Sequence, residues 1–294
     1  IEALFDLEKE GVKVYPQPKI IKIIQNKCNQ KEFYKKNKIP TAQFKLFDSK
    51  EKLKDEVARG LVSFPFVWKS ESMGYDGFGV KIVRSNQDLE EVSLGPCLAE
   101  ELVNIDKELG VIVCRSPMGE TKFYPCVEME FHPQANQVEY VLSPARIPKN
   151  VSKRAERLAL AVSKSFNHVG LLAVELFLTS DGEILVNEVA PRPHNSGHYT
   201  IEAAYTSQFE QHIRAILDLP LGETSNKVPG VMVNLVGKKG YSGLVKFKNI
   251  EHILAIEGVN PHIYGKKKTR PYRKMGHITV INKDLNTARK IAEE

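Results

Sequence analysis

An α+β fold is predicted for this chain of 294 residues, on three observations. Short β-rich runs such as "FPFVWKS" and "GVIVCRS" follow one another with turn residues between them. The dipeptide Asp181-Gly182, a two-residue turn signal, sits between two long alternating segments. Residues 149–167 place Val151, Ala155, Leu158, Val162 and Phe166 at helical spacing, which predicts an amphipathic helix. The length allows two domains, or one composite fold of several lobes.

In chain order, residues 1–40 read as helix, with a short strand at Val12–Tyr15 and a stop at Asn37 and Pro40. "QFKLFD" is a strand. Asp48, with Glu51 three residues on, is an N-cap pattern for a helix reaching Ala58. "FPFVWKS" is a strand that runs into the glycine-rich "GYDGFGV". Strands follow at "KIVRS", "PCLAEELV", "GVIVCRS" and "KFYPCVEMEF", with "PMGE" a hairpin turn. The amphipathic helix leads into the hairpin "LLAVELFLTSDGEILVNEVA". "IEAAYTSQFEQHIRAILDLPLG" reads as one helix closed by Pro220 and Gly222. From Val228 onward come strands at "GVMVNLVG", "PHIYG" and "HITVIN", and a final helix starting near Asp284.

With 42% hydrophobic and 27% charged residues the composition excludes a disordered chain. No apolar run is long enough to span a bilayer and no signal peptide is visible. Cys28, Cys97, Cys114 and Cys126 form no C-x-x-C pair and sit among apolar neighbours, so they read as buried reduced thiols of a cytoplasmic protein. The net charge of +6 suits an anionic partner. Acidic residues are scattered throughout, so phosphorylated small molecules fit that balance at least as well as nucleic acid, for which no binding motif is present.

The hairpin bears on chemistry. With Asp181-Gly182 at the centre of a type I′ turn, Ser180 pairs with Glu183, and counting back sets Glu175 opposite Glu188. Their Cβ atoms would then be about 5 Å apart on one face, where like charges are destabilising. A divalent cation resolves the conflict, and oxygen ligands favour Mg²⁺ over zinc. Two solvated glutamates are the alternative. The apolar neighbours Val174, Leu176, Ile184 and Val186 bury the opposite face, as the floor of a site would require.

Gly74, Gly77 and Gly79 follow a strand directly, so their backbone N–H groups can approach phosphate oxygens; an ordinary hairpin turn is the other reading. Neither a P-loop nor a Rossmann fingerprint is present. Lys69, closing an otherwise apolar strand, is either a snorkelling edge residue or a phosphate ligand. "NEVAPRPHNSGHYT" packs a carboxylate, an arginine, two histidines and two asparagines around two prolines. "KKKTRPYRK" carries six basic residues in nine, which alone reads as a solvated loop or a polyanion patch.

"YDGFG", "NEVAPRPHNSGHYT" followed by "TSQFEQHIRAILDLPLG", and "YGKKKTRPYRKMGH" occur in an order and spacing that closely resemble the 5-(carboxyamino)imidazole ribonucleotide synthases, the ATPase subunit of phosphoribosylaminoimidazole carboxylase, which are ATP-grasp enzymes. The resemblance covers essentially the whole chain. It implies two α+β lobes gripping ATP, a small C-terminal β-rich domain, and an N-terminal α/β domain largely absent from this chain. The implied boundaries are 1–27 for the end of that domain and linker, 28–105 for the small lobe, 106–227 for the large lobe and 228–294 for the C-terminal domain. The implied reaction uses ATP, Mg²⁺ (or Mn²⁺) and bicarbonate to make carboxyphosphate, then carboxylates the amine of 5-aminoimidazole ribonucleotide in purine biosynthesis. A homodimer without nucleic-acid or membrane partners is implied as well.

Carried over by position, the resemblance implies that Lys27 and Lys69 hold ATP phosphates and that Gly74, Tyr75, Asp76, Gly77, Phe78, Gly79 and Val80 form the loop above them. Glu100, Glu101, Leu102 and Val103 would receive the adenine on backbone groups, Glu108 the ribose, and His132 would lie near the nucleotide. Glu175 and Glu188 would bind the metal, with Asn187 beside them. Arg192, His194 and Asn195 would surround bicarbonate and carboxyphosphate. Tyr75, Asp76, Lys266 and Arg273 would contact the aminoimidazole ribonucleotide, and His194 or Asp76 would accept its proton. Phe78 and Val80 replace a cation and a glutamine usual in the family, with backbone groups or Lys81 as possible substitutes. Another ATP-grasp ligase is disfavoured by "RPHNSGH"; a nucleotide-binding protein without turnover is the alternative of a different class.

Overall fold

The computed structural model describes residues 1–72, 79–135 and 137–294. The loop assignments at Gly74, Tyr75, Asp76, Gly77 and Phe78 lie outside the described residues. Three helices open the chain: α1 (Glu2–Lys9), α2 (Pro18–Ile24) and α3 (Lys27–Lys36). Pro18 starts α2, where a missing N–H costs nothing. Asn26 caps α3 by accepting the Asn29 N–H at 2.9 Å. Val12–Tyr15 is not a strand. Its alternation finds no ladder partner among the described residues, and Pro16 removes a donor next to it.

A first sheet follows, built from β1 (Phe44–Phe47), α4 (Lys50–Ala58), β2 (Phe66–Ser70), β3 (Val80–Val83), α5 (Asn86–Glu91) and β4 (Cys97–Glu101). Its strand order is β1-β4-β2-β3, antiparallel throughout. Phe47, Leu53, Phe66, Trp68 and Leu89 close its core against the helices. The cap of α4 is Ser49, whose Oγ accepts the Lys52 N–H at 3.3 Å. Asp48 stands one residue too early for that bond and pairs with the Lys52 ammonium instead.

The rest of the chain forms a second, larger sheet. Its elements are β5 (Ile105–Arg115), β6 (Thr121–Phe123), β7 (Val127–Phe131), β8 (Val138–Ser143), α6 (Lys149–Phe166), β9 (Gly170–Thr179), β10 (Ile184–Ala190), α7 (Thr200–Ala203), α8 (Gln208–Ile216), β11 (Gly230–Val236), β12 (Gly243–Leu244), α9 (Ile250–Leu254), β13 (Val259–Ile263), β14 (Lys268–Thr269), β15 (Lys274–Ile281) and α10 (Leu285–Ile291). Nine strands run β10-β9-β5-β7-β8-β11-β15-β13 with β6 on β5, while β12 and β14 pair apart. The strands after Val228 thus continue the same sheet through the β8–β11 ladder. "KFYPCVEMEF" splits into β6 and β7 at Pro125, which has no N–H to give. The single helix expected after Thr200 is two: Ala204 bridges to Asn226, and Ser207 starts α8 afresh by accepting the Glu210 N–H at 3.2 Å. α6 lays Ala155, Ala159, Val162 and Phe166 against Leu109, Val111, Leu172 and Val174 of β5 and β9, while on the other face Ile112, Cys114, Leu171 and Ala173 pack with Ala215 of α8 and Glu175 of β9 is free for polar work. All four cysteines are buried and free, and no helix among the described residues is long and apolar enough to cross a membrane.

Candidate active site

Glu175 of β9 stands directly opposite Glu188 of β10. The opposition is reached by a route the residue count did not foresee. The turn has three residues, not two: Thr179 N–H donates to Glu183 O and Gly182 N–H to Thr179 O, each at 2.9 Å, with Gly182 at φ +87°. Thr179 therefore faces Glu183, and Ser180 does not. A β-bulge between Val186 and Glu188 then takes up one residue. The two offsets cancel. Asn187, the extra residue, aims its Oδ1 at Lys69 Nζ, 3.0 Å away.

The carboxylates are asymmetric. Burial pushes Glu175 up, but the hydrogen bond from His194, together with the Lys274 and Lys69 charges, outweighs it and holds the group below its usual value. Crowding by protein and then the Glu175 charge push Glu188 up, although Glu188 keeps access to solvent. Glu108 is raised to about 7, first by burial and then by Glu175. The Lys69 charge lowers all three of these acids, against the burial that raises each of them, and His194 donates to Glu175. Among the described residues no group of three His, Cys, Asp or Glu side chains could hold a metal by itself.

His194 Nε2 lies 3.2 Å from Glu175 Oε1. Its Nδ1 accepts the Ser196 N–H at 3.3 Å, so the neutral ring carries its hydrogen on Nε2 and donates to Glu175. That makes His194 a donor here; its Nε2 has no lone pair for a proton. Gln208, fully buried at the start of α8, clamps the same residue from below: its Oε1 accepts the His194 N–H and its Nε2 donates to the His194 carbonyl, both at 2.8 Å. Asn195 exchanges two 2.9 Å amide bonds with Asn234. Arg192 is exposed and donates to the Pro193 carbonyl. His198 stacks between Phe209 and His277, and His277 stacks in turn on His262, with ring centroids 5.8, 4.7 and 4.4 Å apart. Tyr264 completes this column through a 2.9 Å contact of its hydroxyl with His277 Nδ1.

A cavity of about 920 Å³ brings Val80, Glu175, Glu188, Arg192, His194, Asn195, Lys266 and Arg273 together. It adds His198, Tyr264, Arg270, Tyr272 and Lys274 to the expected set. Lys266 donates to the Lys274 carbonyl and Arg273 to the Lys268 carbonyl, each at 2.6 Å. The remaining expected residues that the structure describes do not line it. Lys69 is buried, 2.8 Å from Glu100 Oε2, and Glu100 is equally close to Lys31. Lys27 opens α3, and its charge is felt at Glu188. Glu101 is exposed, Leu102 and Val103 follow β4, and Glu108 lies on β5 opposite Phe177, two residues from Gly110, the partner of Glu175. His132 accepts the Gln134 and Ala135 N–H groups at 3.1 Å and packs edge-on against Tyr272. Gly79 takes φ +74° just before β3, and Val80 pairs with Lys69. Lys81 gives no spare cation, since Asp88 and Glu91 engage it.

Sequence reasoning missed Lys31, Gln208, Asn234 and Tyr264. "SQFEQH" and "YGKKKTRP" contained two of them without a chemical reason to single them out. Lys31 and Asn234 meet partners far away in the chain, and no local pattern announces that.

An ATP-grasp domain model matches residues 32–209, and a phosphoribosylaminoimidazole carboxylase C-terminal domain model matches 230–291. A phosphoribosylaminoimidazole carboxylase of Ogataea methanolica is 39% identical over 97% of this chain and 53% of its own length, so the chain spans about half of that relative. The crystal structure of the N5-carboxyaminoimidazole ribonucleotide synthetase from Thermotoga maritima is 48% identical with a TM-score of 0.89, over 99% of this chain and 76% of that one. The N5-carboxyaminoimidazole synthase from Aspergillus clavatus, in complex with ADP and 5-aminoimidazole ribonucleotide, is 33% identical with a TM-score of 0.88, over 99% and 77%.

Proposed function

The chain belongs to the ATP-grasp family and, within it, to the N5-carboxyaminoimidazole ribonucleotide synthases, and from that membership we propose that it uses ATP and bicarbonate to carboxylate the exocyclic amine of 5-aminoimidazole ribonucleotide. The observation that carries this reading is the Glu175–Glu188 opposition at the floor of a cavity whose wall holds Arg192, Lys266, Arg270 and Arg273. Excess negative charge on the floor and excess positive charge on the wall suit a metal-bound phosphate chain beside an anionic sugar phosphate. Glu175 and Glu188 would hold Mg²⁺, which when bound offsets the charge of the ATP phosphates.

In this reading a bicarbonate oxygen attacks the γ-phosphorus, the bond to the β-bridging oxygen breaks and ADP leaves. The chain's part is positioning and charge. Lys69 meets the phosphates at the end of β2, where Asn187 already steadies its ammonium. Arg192 and Asn195 supply donors where the carboxyphosphate charge develops. His194 fixes the orientation of Glu175 through Nε2. The substrate amine then attacks the carboxyl carbon, phosphate departs, and the amine gives up a proton. With His194 acting as a donor, we assign that proton to Asp76. Lys266 and Arg273 would take the sugar phosphate. A homodimer is part of the same proposal.

The test is phosphate release from MgATP with bicarbonate and the aminoimidazole each added or omitted. Release that rises only with both supports the reading. Release indifferent to the aminoimidazole would mean a different acceptor, and bound nucleotide without any release would leave a binding role.

A further inference from the structure

Behind the cavity lies a buried cluster of three charges. Lys31 of α3 and Lys69 of β2 each bring Nζ to 2.8 Å from a different oxygen of Glu100 on β4, Lys31 on Oε1 and Lys69 on Oε2. The three side chains are 4%, 10% and 3% exposed. Within the triad one negative and two positive charges leave a surplus of one, and through Lys69 that charge is felt at Glu108, Glu175 and Glu188, the acids beside the cavity.

The two lysines are not equivalent. Lys31 is the inner one: it donates to Thr41 Oγ1, which in turn donates to the Val186 carbonyl at 2.7 Å. The Tyr34 and Phe44 rings flank its ammonium at 5.9 Å. Lys69 is the outer one, paired across β2–β3 with the cavity-lining Val80 and touching Asn187 next to Glu188. With 10% of its side chain exposed against 4% for Lys31, Lys69 is the one an arriving anion would meet first.

We propose that Lys31 is a positioning residue for phosphate binding: it neutralises Glu100 from behind and so leaves the charge of Lys69 to the nucleotide. Without Lys31, Glu100 and Lys69 form a closed neutral pair, and a phosphate must compete with a buried carboxylate for the ammonium. The inference rests on the nucleotide reading above.

Its test is ADP and adenosine affinity of the chain, of K31M and of K31M/E100Q. K31M is expected to bind ADP at least about tenfold more weakly while adenosine, which has no phosphate for Lys69, binds as before. K31M/E100Q, with neither the lysine nor the carboxylate charge, is expected to return to within about threefold of the parent for ADP. Unchanged ADP affinity in K31M overturns the proposal. So does a joint loss of ADP and adenosine that E100Q does not repair, because that is the behaviour of a merely structural lysine. Should K31M alone not fold, the double variant decides the matter, and a tenfold loss of ADP affinity there overturns it. A parent chain that binds no ADP would instead remove the nucleotide reading itself.

Discussion

Glu188 is held in a state that its own surroundings oppose. Protein crowding and the Glu175 charge both raise it, and no cationic side chain is bonded to it among the described residues. Such a group costs stability when ionised and is worth keeping only for a ligand. Glu188→Gln is therefore expected to cut phosphate release by at least about a hundredfold, the scale of losing one preorganised charge contact, while raising the melting temperature of the ligand-free chain. Unchanged release, or a lower melting temperature, would count against the assignment. Glu108 supplies the pH counterpart. A carboxyl raised from 4.5 to about 7 by burial and by Glu175 binds its proton more tightly in the folded state. Stability then falls as pH climbs from about 4.5 to about 7 and levels off above that. The difference in melting temperature between the parent and Glu108→Gln should change across that window and be flat from pH 7.5 to 8.5; no change within the window would show that Glu108 is solvated. At this scale much of the site was legible, because Glu175, Glu188 and the "RPHNSGH" side chains carry chemistry by type. Lys31 was not, since a lysine on a basic helix looks solvated until the strand with Glu100 is folded against it.

The β9–β10 hairpin shows how an element can be read correctly for an incorrect reason. Asp181-Gly182 and the alternating residues announced the hairpin, but turn length and bulge are not separable by counting, because a three-residue turn plus one bulge gives the same opposition as a two-residue turn without one. Val12–Tyr15 failed the other way: its alternation was real, and no strand among the described residues pairs with it. α8 matters less as a helix than for what its first residue does. Gln208 holds both backbone groups of His194, and Gly197 lies so close that an added Cβ would come within 2.6 Å of the Gln208 oxygen. Gln208→Ala leaves a buried N–H and a buried carbonyl without partners, which should cost about 1–3 kcal/mol. Urea unfolding measures it, and a loss below about 0.5 kcal/mol, the range of ordinary surface changes, would show that the clamp is dispensable.

Across the whole molecule, the α+β class was legible from the strand and helix patterns, and the joining of the sheet was not. Nothing in "GVMVNLVG" says that it will pair with β8 on one side and β15 on the other. That continuity predicts shared stability. In native-state hydrogen exchange, the amides of β11 should open together with those of β7 and β8, whereas the four-stranded sheet, with a core of its own, opens separately. Exchange of β11 ahead of β8 would show that the C-terminal segment is an independent unit. The aromatic column Phe209–His198–His277–His262 crosses from α8 to β13 beside the cavity and has a spectroscopic consequence. Burial keeps His198 near 4 and His277 near 3, so both imidazoles stay neutral at physiological pH and sit in one another's ring currents. Their carbon-bound protons should therefore resonate away from the ordinary histidine envelope and not titrate near neutrality. They form an unlabelled reporter, at the wall of the cavity, of anything that enters it.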